Sequence, residues 1–135
     1  MIVIDASALT KYILREDGYE DVRGFMLDQP YSLSLVLVEV SNAIWKHHML
    51  YNLISREEAE VMFKALDLLS RDVLIIEPII NYVEYAVEIA MDEDITVYDS
   101  LYIAQAKKRG CMILTSDKKQ LQVAERIGVK SRYVK

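Results

Sequence analysis

Ile2, Val3 and Ile4 form an apolar run that ends abruptly at Asp5, and Met112, Ile113 and Leu114 form another that ends in Thr115, Ser116 and Asp117. Runs this short, apolar and partly β-branched suit strands buried from both sides, as in a parallel sheet covered by helices. Ligands of such sheets bind beyond the carboxyl ends of the strands. Each run therefore delivers a carboxylate to the edge where chemistry occurs, and the two acids meet there if their strands are parallel neighbours.

The intervening residues read as alternating helices and strands. Ser7 to Leu14 is a short helix with Ser7 as its cap, and Tyr19, Val22, Phe25 and Met26 recur at helical spacing until Gln29 and Pro30. Tyr31 to Leu33 is a strand, followed by a helix from Leu35 to Leu50 with Val36, Val40, Ala43, Ile44 and His47 inward. Ser55 and Glu58 make a capping box that opens a helix toward Ser70. Val73 to Ile76 is a strand ended by Pro78. Asn81 with Glu84 starts a helix to Glu93, with Val83, Val87, Ala90 and Met91 inward. Val97 to Arg109 is a helix closed by Gly110. After the Met112 strand, Asp117 to Ile127 is a helix closed by Gly128, and Ser131 to Val134 a last strand. The expected fold is α/β, a three-layer α/β/α sandwich around a short parallel sheet. At 135 residues, with only four Gly and two Pro, residues 1–135 form one domain with little room for linkers.

The apolar fraction of 53% never concentrates into a membrane-spanning run, and the first residues lack the pattern of a signal peptide. The expectation is a cytoplasmic protein. Cys111 is the sole cysteine, so no internal disulfide forms, and its apolar neighbours suggest a buried, inert thiol. A formal net charge of −5 argues against holding nucleic acid by bulk electrostatics alone. It leaves room for an enzyme that touches a short piece.

Two more acids sit in apolar settings. Glu39 is the only charge between Leu33 and Ile44, and Asp99 the only charge between Ile95 and Ala106. A charge so placed must be paired, hydrated or bound to a cation. Singly, Asp5, Asp99 and Asp117 each read equally well as helix caps, and Glu39 as a solvated side chain. Capping does not account for the set. Four carboxylates brought to one cleft repel one another and need a counter-charge. Oxygen donors without His or Cys select a hard cation, Mg²⁺ or Mn²⁺.

Four pieces of the chain resemble the PIN-domain family, specifically its VapC-type ribonuclease toxins: Ile2 to Leu9, Leu35 to Ile44, Ile95 to Ala106 and Ile113 to Asp117. The resemblance implies a Rossmann-like topology, with Asp5, Glu39, Asp99 and Asp117 as catalytic acids. Asp5, Asp99 and Asp117 would bind metal, and Ser7 and Thr115 would be the hydroxyl positions that orient the carboxylates. It further implies Mg²⁺- or Mn²⁺-dependent hydrolysis of RNA, a homodimer, and a small VapB-like antitoxin as partner. Ser100 departs from the Ala common after that aspartate. Asp94 reads as an exposed turn, with a place near Asp99 as the alternative.

Lys11 and Arg15 are the leading candidates for RNA backbone contacts, ahead of Lys46, Lys107 to Arg109, and Lys118 with Lys119. Trp45, His47 and His48 read as a packed helix end or subunit contact, because neither histidine has partners at metal-ligand spacing. Two competing functions use the same residues. One is a non-catalytic binding module. The other is a phosphoaspartate phosphohydrolase, which resembles Asp-x-Asp after the first strand, where this chain has Ser7. Neither nucleotide-binding glycine motif is present.

Overall fold

The computed structural model describes residues 1–135. Five strands build one parallel sheet: β1 (Ile2–Ile4), β2 (Tyr31–Leu33), β3 (Ile75–Glu77), β4 (Met112–Thr115) and β5 (Ser131–Tyr133), in the order β3-β2-β1-β4-β5. All pairs are parallel, and Ile2, Val3 and Ile4 stand opposite Met112, Ile113 and Leu114. The chain thus builds outward from β1 to β3, then returns to lay β4 against the other side of β1. That reversal is the switch point at which the loops beyond two neighbouring strands diverge and leave a crevice.

Seven α-helices cover the sheet. They are α1 (Ala6–Ile13), α2 (Tyr19–Met26), α3 (Leu35–Met49), α4 (Arg56–Asp72), α5 (Val83–Glu93), α6 (Val97–Arg109) and α7 (Lys118–Arg126). α1 packs against α2, α3 and α4, while α5 packs on α6 and α6 on α7. Right-handed crossovers place the first group on one face and, after the reversal, the second on the other. The result is the expected three-layer sandwich. No helix is long and apolar enough to cross a membrane.

Burial explains the strands. Ile2, Val3, Ile4, Ile113 and Leu114 are all enclosed, as strands covered on both faces require. α6 is enclosed from Ser100 to Ala106, a helix buried nearly all round and touching β1, β2 and β4. Gly110 closes it in the left-handed conformation at φ 63°. Ser100 donates to the Ala86 carbonyl at 2.7 Å, so the departure from Ala joins α6 to α5.

Glu77 ends β3 and ties three elements together. Its Oε1 accepts from the Tyr82 hydroxyl (2.7 Å), Gln105 Nε2 (2.9 Å) and Arg109 Nε (2.7 Å), and its Oε2 from Arg109 Nη2 (2.6 Å). The Arg109 guanidinium also lies 4.1 Å from the centre of the Tyr31 ring.

Several boundaries differ from the sequence reading. The third strand is Ile75–Glu77 rather than Val73 to Ile76, because α4 continues to Asp72 and its end occupies Val73. Asn81 starts no helix; it closes a 3₁₀ turn, Ile79–Asn81, and Tyr82 precedes α5 without a side-chain cap. The buried stripe is correspondingly Tyr82, Ala86, Ile89 and Ala90, leaving Val87 and Met91 exposed. Small Ala86, rather than a large apolar residue, faces α6. Cys111 is half-buried, and that burial pushes its thiol pKa up.

Candidate active site

Asp5 immediately follows β1 and Asp117 lies just beyond β4, so the pairing of those strands puts both at the switch point. Asp5, not Ser7, caps α1: its Oδ1 accepts from the Ala8 amide at 2.9 Å. Ser7 lies inside the first turn, where its hydroxyl donates to the same Oδ1 at 2.7 Å and accepts from the Ser116 amide at 2.8 Å. Thr115 donates to Asp5 Oδ2, and its hydroxyl accepts from the Asp117 amide at 3.1 Å. Two hydroxyls from opposite ends of the chain thus clamp one carboxylate. Asp117 caps α7 through Oδ1, which accepts from Lys119 N (2.8 Å) and Gln120 N (3.2 Å).

The other two acids arrive on helices. Glu39 lies in α3, one turn beyond β2, and its Oε1 accepts from the Tyr102 hydroxyl at 2.6 Å. Asp99 is in the first turn of α6, where its amide donates to the capping hydroxyl of Thr96 at 3.2 Å. Thr96 and Tyr102 were not among the sequence candidates. Thr96 carried a signal, standing three residues before an acid as a capping hydroxyl does. Tyr102 carried none.

The four acids are electrostatically one group. Burial pushes Asp5, only 2% exposed, up to about 6, and the Asp117 charge adds to the rise against the hydrogen bonds of Thr115, Ala8 and Ser7. Glu39 is raised by burial and by Asp99, although the Tyr102 hydrogen bond opposes this. Asp99 is raised by burial and by Asp117, with Thr96 and the Lys119 ammonium pulling the other way. None takes part in any of the four ion pairs, which join Arg56 to Glu60, Arg71 to Asp67, Arg109 to Glu77 and Arg126 to Glu93. Burial first, and then mutual closeness without an ion-pair partner, raise the Asp5, Glu39 and Asp99 pKa values.

The same side chains do not close on a single point: no three of the Asp, Glu, His or Cys groups are arranged to hold a metal ion. Asp117 Oδ1 is drawn to the amides of α7 and Glu39 Oε1 to Tyr102, while Asp117 Oδ2 and Glu39 Oε2 accept no hydrogen bond. What fits Mg²⁺ or Mn²⁺ is the chemistry of the set, carboxylate oxygens with no positive side chain bonded to them.

The remaining candidates lie elsewhere. Lys11 donates its ammonium to the Asp17 carbonyl at 2.8 Å, and Arg15 is exposed beyond the end of α1. Lys118 and Lys119 are exposed beside Asp117, nearer the acids. Asp94 is the exposed, left-handed end of α5. His47 Nδ1 bonds the Ala43 carbonyl and His48 Nδ1 that of Ile54, so both are half-buried supports of the α3 end. Trp45 is exposed.

A parallel sheet between helical layers, with hydroxyl-held acids at its switch point, defines an α/β/α domain of Rossmann-like topology. The PIN domain family model matches residues 2–126, and the chain belongs to that family. It is 30% identical over 127 residues to "Ribonuclease VapC3" of Pyrobaculum aerophilum, covering 93% of each chain. Among solved structures, PAE2754 from Pyrobaculum aerophilum superposes with a TM-score of 0.70 at 22% identity, over 96% of this chain and 82% of that one. FitAcB from Neisseria gonorrhoeae gives 0.63 at 18% identity, over 97% and 96%. These structural likenesses concern the fold.

Proposed function

We propose that the protein is a metal-dependent endoribonuclease that hydrolyses RNA phosphodiester bonds as the toxin of a type II toxin–antitoxin pair. The observation that carries this reading is the group of four acids without an ion-pair partner at the switch-point edge. Its kinship with a protein named as a ribonuclease supports it.

Asp5, Asp99 and Asp117 would hold Mg²⁺ or Mn²⁺, with Ser7 and Thr115 fixing the Asp5 carboxylate. A bound divalent cation supplies Lewis acidity, acidifying water and offsetting charge on the phosphoryl oxygens. Glu39 Oε2, without a protein donor, is the atom suited to reach the same cation or to orient and deprotonate an attacking water beside it. Both Asp5 oxygens already accept hydrogen bonds, which suits a held ligand better than the free nucleophile of a phosphoaspartate enzyme. Lys119 is the cation best placed for an RNA phosphate, since its charge is felt at Asp99.

Partner surfaces follow from what the helices leave uncovered. Val38, Trp45 and Met49 form one exposed stripe on α3, suited to a second copy of the chain. A groove of about 920 Å³, lined by Ile54, Val61, Met62 and Leu68 among others, suits an apolar antitoxin segment. The decisive experiment incubates the chain with single-stranded RNA, with and without Mg²⁺ or Mn²⁺. Cleavage that needs the metal and disappears in Asp5→Asn and Asp99→Asn is expected. RNA binding without cleavage under any metal would instead make this a non-catalytic module.

A further inference from the structure

We propose that Tyr102 is a positioning residue of this site, its phenol holding one oxygen of Glu39 so that the other is turned toward the cation the acids would share. The proposal rests on the nuclease reading above. Tyr102 is 2% exposed in the most enclosed helix of the fold, a place where Phe or Leu would fill the same space. A hydroxyl buried there is unfavourable unless bonded. Its bond goes to Glu39 Oε1 at 2.6 Å, 63 residues away and on the opposite helical layer.

Glu39 does not need this bond for its own solvation. It is half-buried and its second oxygen is unbonded, so without Tyr102 its side chain would have further rotamers open to it. Tyr102 lies on α6 one turn beyond Asp99, and α6 packs against β1, the strand that Asp5 follows. Burial, with Glu39, Asp5 and Asp99, pushes the phenol's ionisation upward, so it remains a donor wherever the protein is folded. The bond therefore acts in one direction, from a fixed core residue to an adjustable acid.

The test measures Mn²⁺ binding calorimetrically, without RNA, for the wild type, Tyr102→Phe, Glu39→Gln and the double variant, with metal-free melting as the control. Tyr102→Phe is expected to weaken Mn²⁺ on the order of tenfold, and to add nothing once Glu39 is already Gln. Unchanged affinity, or the same loss in both backgrounds, would overturn the proposal, since the latter is a packing effect. Should Tyr102→Phe not fold, wild-type NMR decides: substoichiometric Mn²⁺ is expected to broaden the Tyr102 ring signals, and sharp signals there with broadening elsewhere count against it. A wild type that takes up no Mn²⁺ fails the nuclease reading and this proposal together; intact binding in Tyr102→Phe fails the proposal alone.

Discussion

Asp5 and Glu77 stand at the carboxyl ends of parallel strands in one sheet, yet they are held in opposite states. Glu77, with a side chain 14% exposed, is held down to about 2, chiefly by hydrogen bonds from the Arg109 guanidinium. Asp5 also accepts several hydrogen bonds, but all from neutral donors, and burial pushes it up to about 6. The number of hydrogen bonds does not decide the state of these carboxylates; depth of burial and a positive partner do. At one edge the sheet thus carries an acid that stabilises it and, two strands away, acids whose ionised forms destabilise it.

The comparison is broken most directly by Asp5→Asn. Asn keeps an acceptor for the Ala8 amide while removing the charge, so metal-dependent cleavage is expected to fall by more than about 100-fold. The same variant is expected to stabilise the metal-free fold at pH 8 by about 2 kcal/mol, measured by urea unfolding. A loss of both activity and stability would show that the charge is not the burden inferred here.

Glu77→Gln is expected to do the reverse, lowering stability by about 2 kcal/mol, a figure discounted for the solvent that reaches Arg109. Cleavage by the folded fraction is expected to persist, and RNA assays at low temperature check it.

The two states also have opposite pH signatures. Asp5 has a raised folded pKa, so its contribution to metal-free stability increases as pH falls through about 6 toward its unfolded value, and Glu39 and Asp99 act in the same direction. Glu77 has a depressed one, so its contribution is present above about 4.5 and lost as pH falls toward 2. Metal-free stability is expected to peak in the mildly acidic range between these limits. Mn²⁺ is expected to move the maximum upward, since a cation favours the ionised acids. Denaturant titrations across pH measure both shifts.

The smallest expected effects concern single hydroxyls. Thr115→Val removes a donor from Asp5 and is expected to cost about 1–2 kcal/mol and to reduce cleavage about tenfold. Ser100→Ala, next to Asp99 in the chain but with its hydroxyl bonded to the Ala86 carbonyl of α5, is expected to cost about 1 kcal/mol and leave cleavage unchanged, as melting and RNA assays would show.

What the sequence revealed and what it hid divide by range. The strands ending at Asp5 and Asp117, the capping box at Ser55, and the alternation that gives the layered fold are local patterns, and the structure places them as read. Glu39 and Asp99 were also legible, because a lone charge inside an apolar segment is conspicuous. The bonds from Tyr102 to Glu39 and from Arg109 to Glu77 join residues 63 and 32 positions apart, and depend on side-chain direction within packed layers. No spacing rule encodes that direction. The buried stripe of α5 was misread for a related reason, since Ala86 makes the close approach to α6 and alanine contributes little to an apolar pattern.

The clamp from Thr115 to Asp5 spans 110 positions. The carboxylate and the hydroxyl that fixes it belong to segments that meet only once β4 lies against β1, so neither half of the fold assembles the acidic group alone. Any event that unzips those two strands parts Asp5 from Asp117 and dismantles the group in the same stroke.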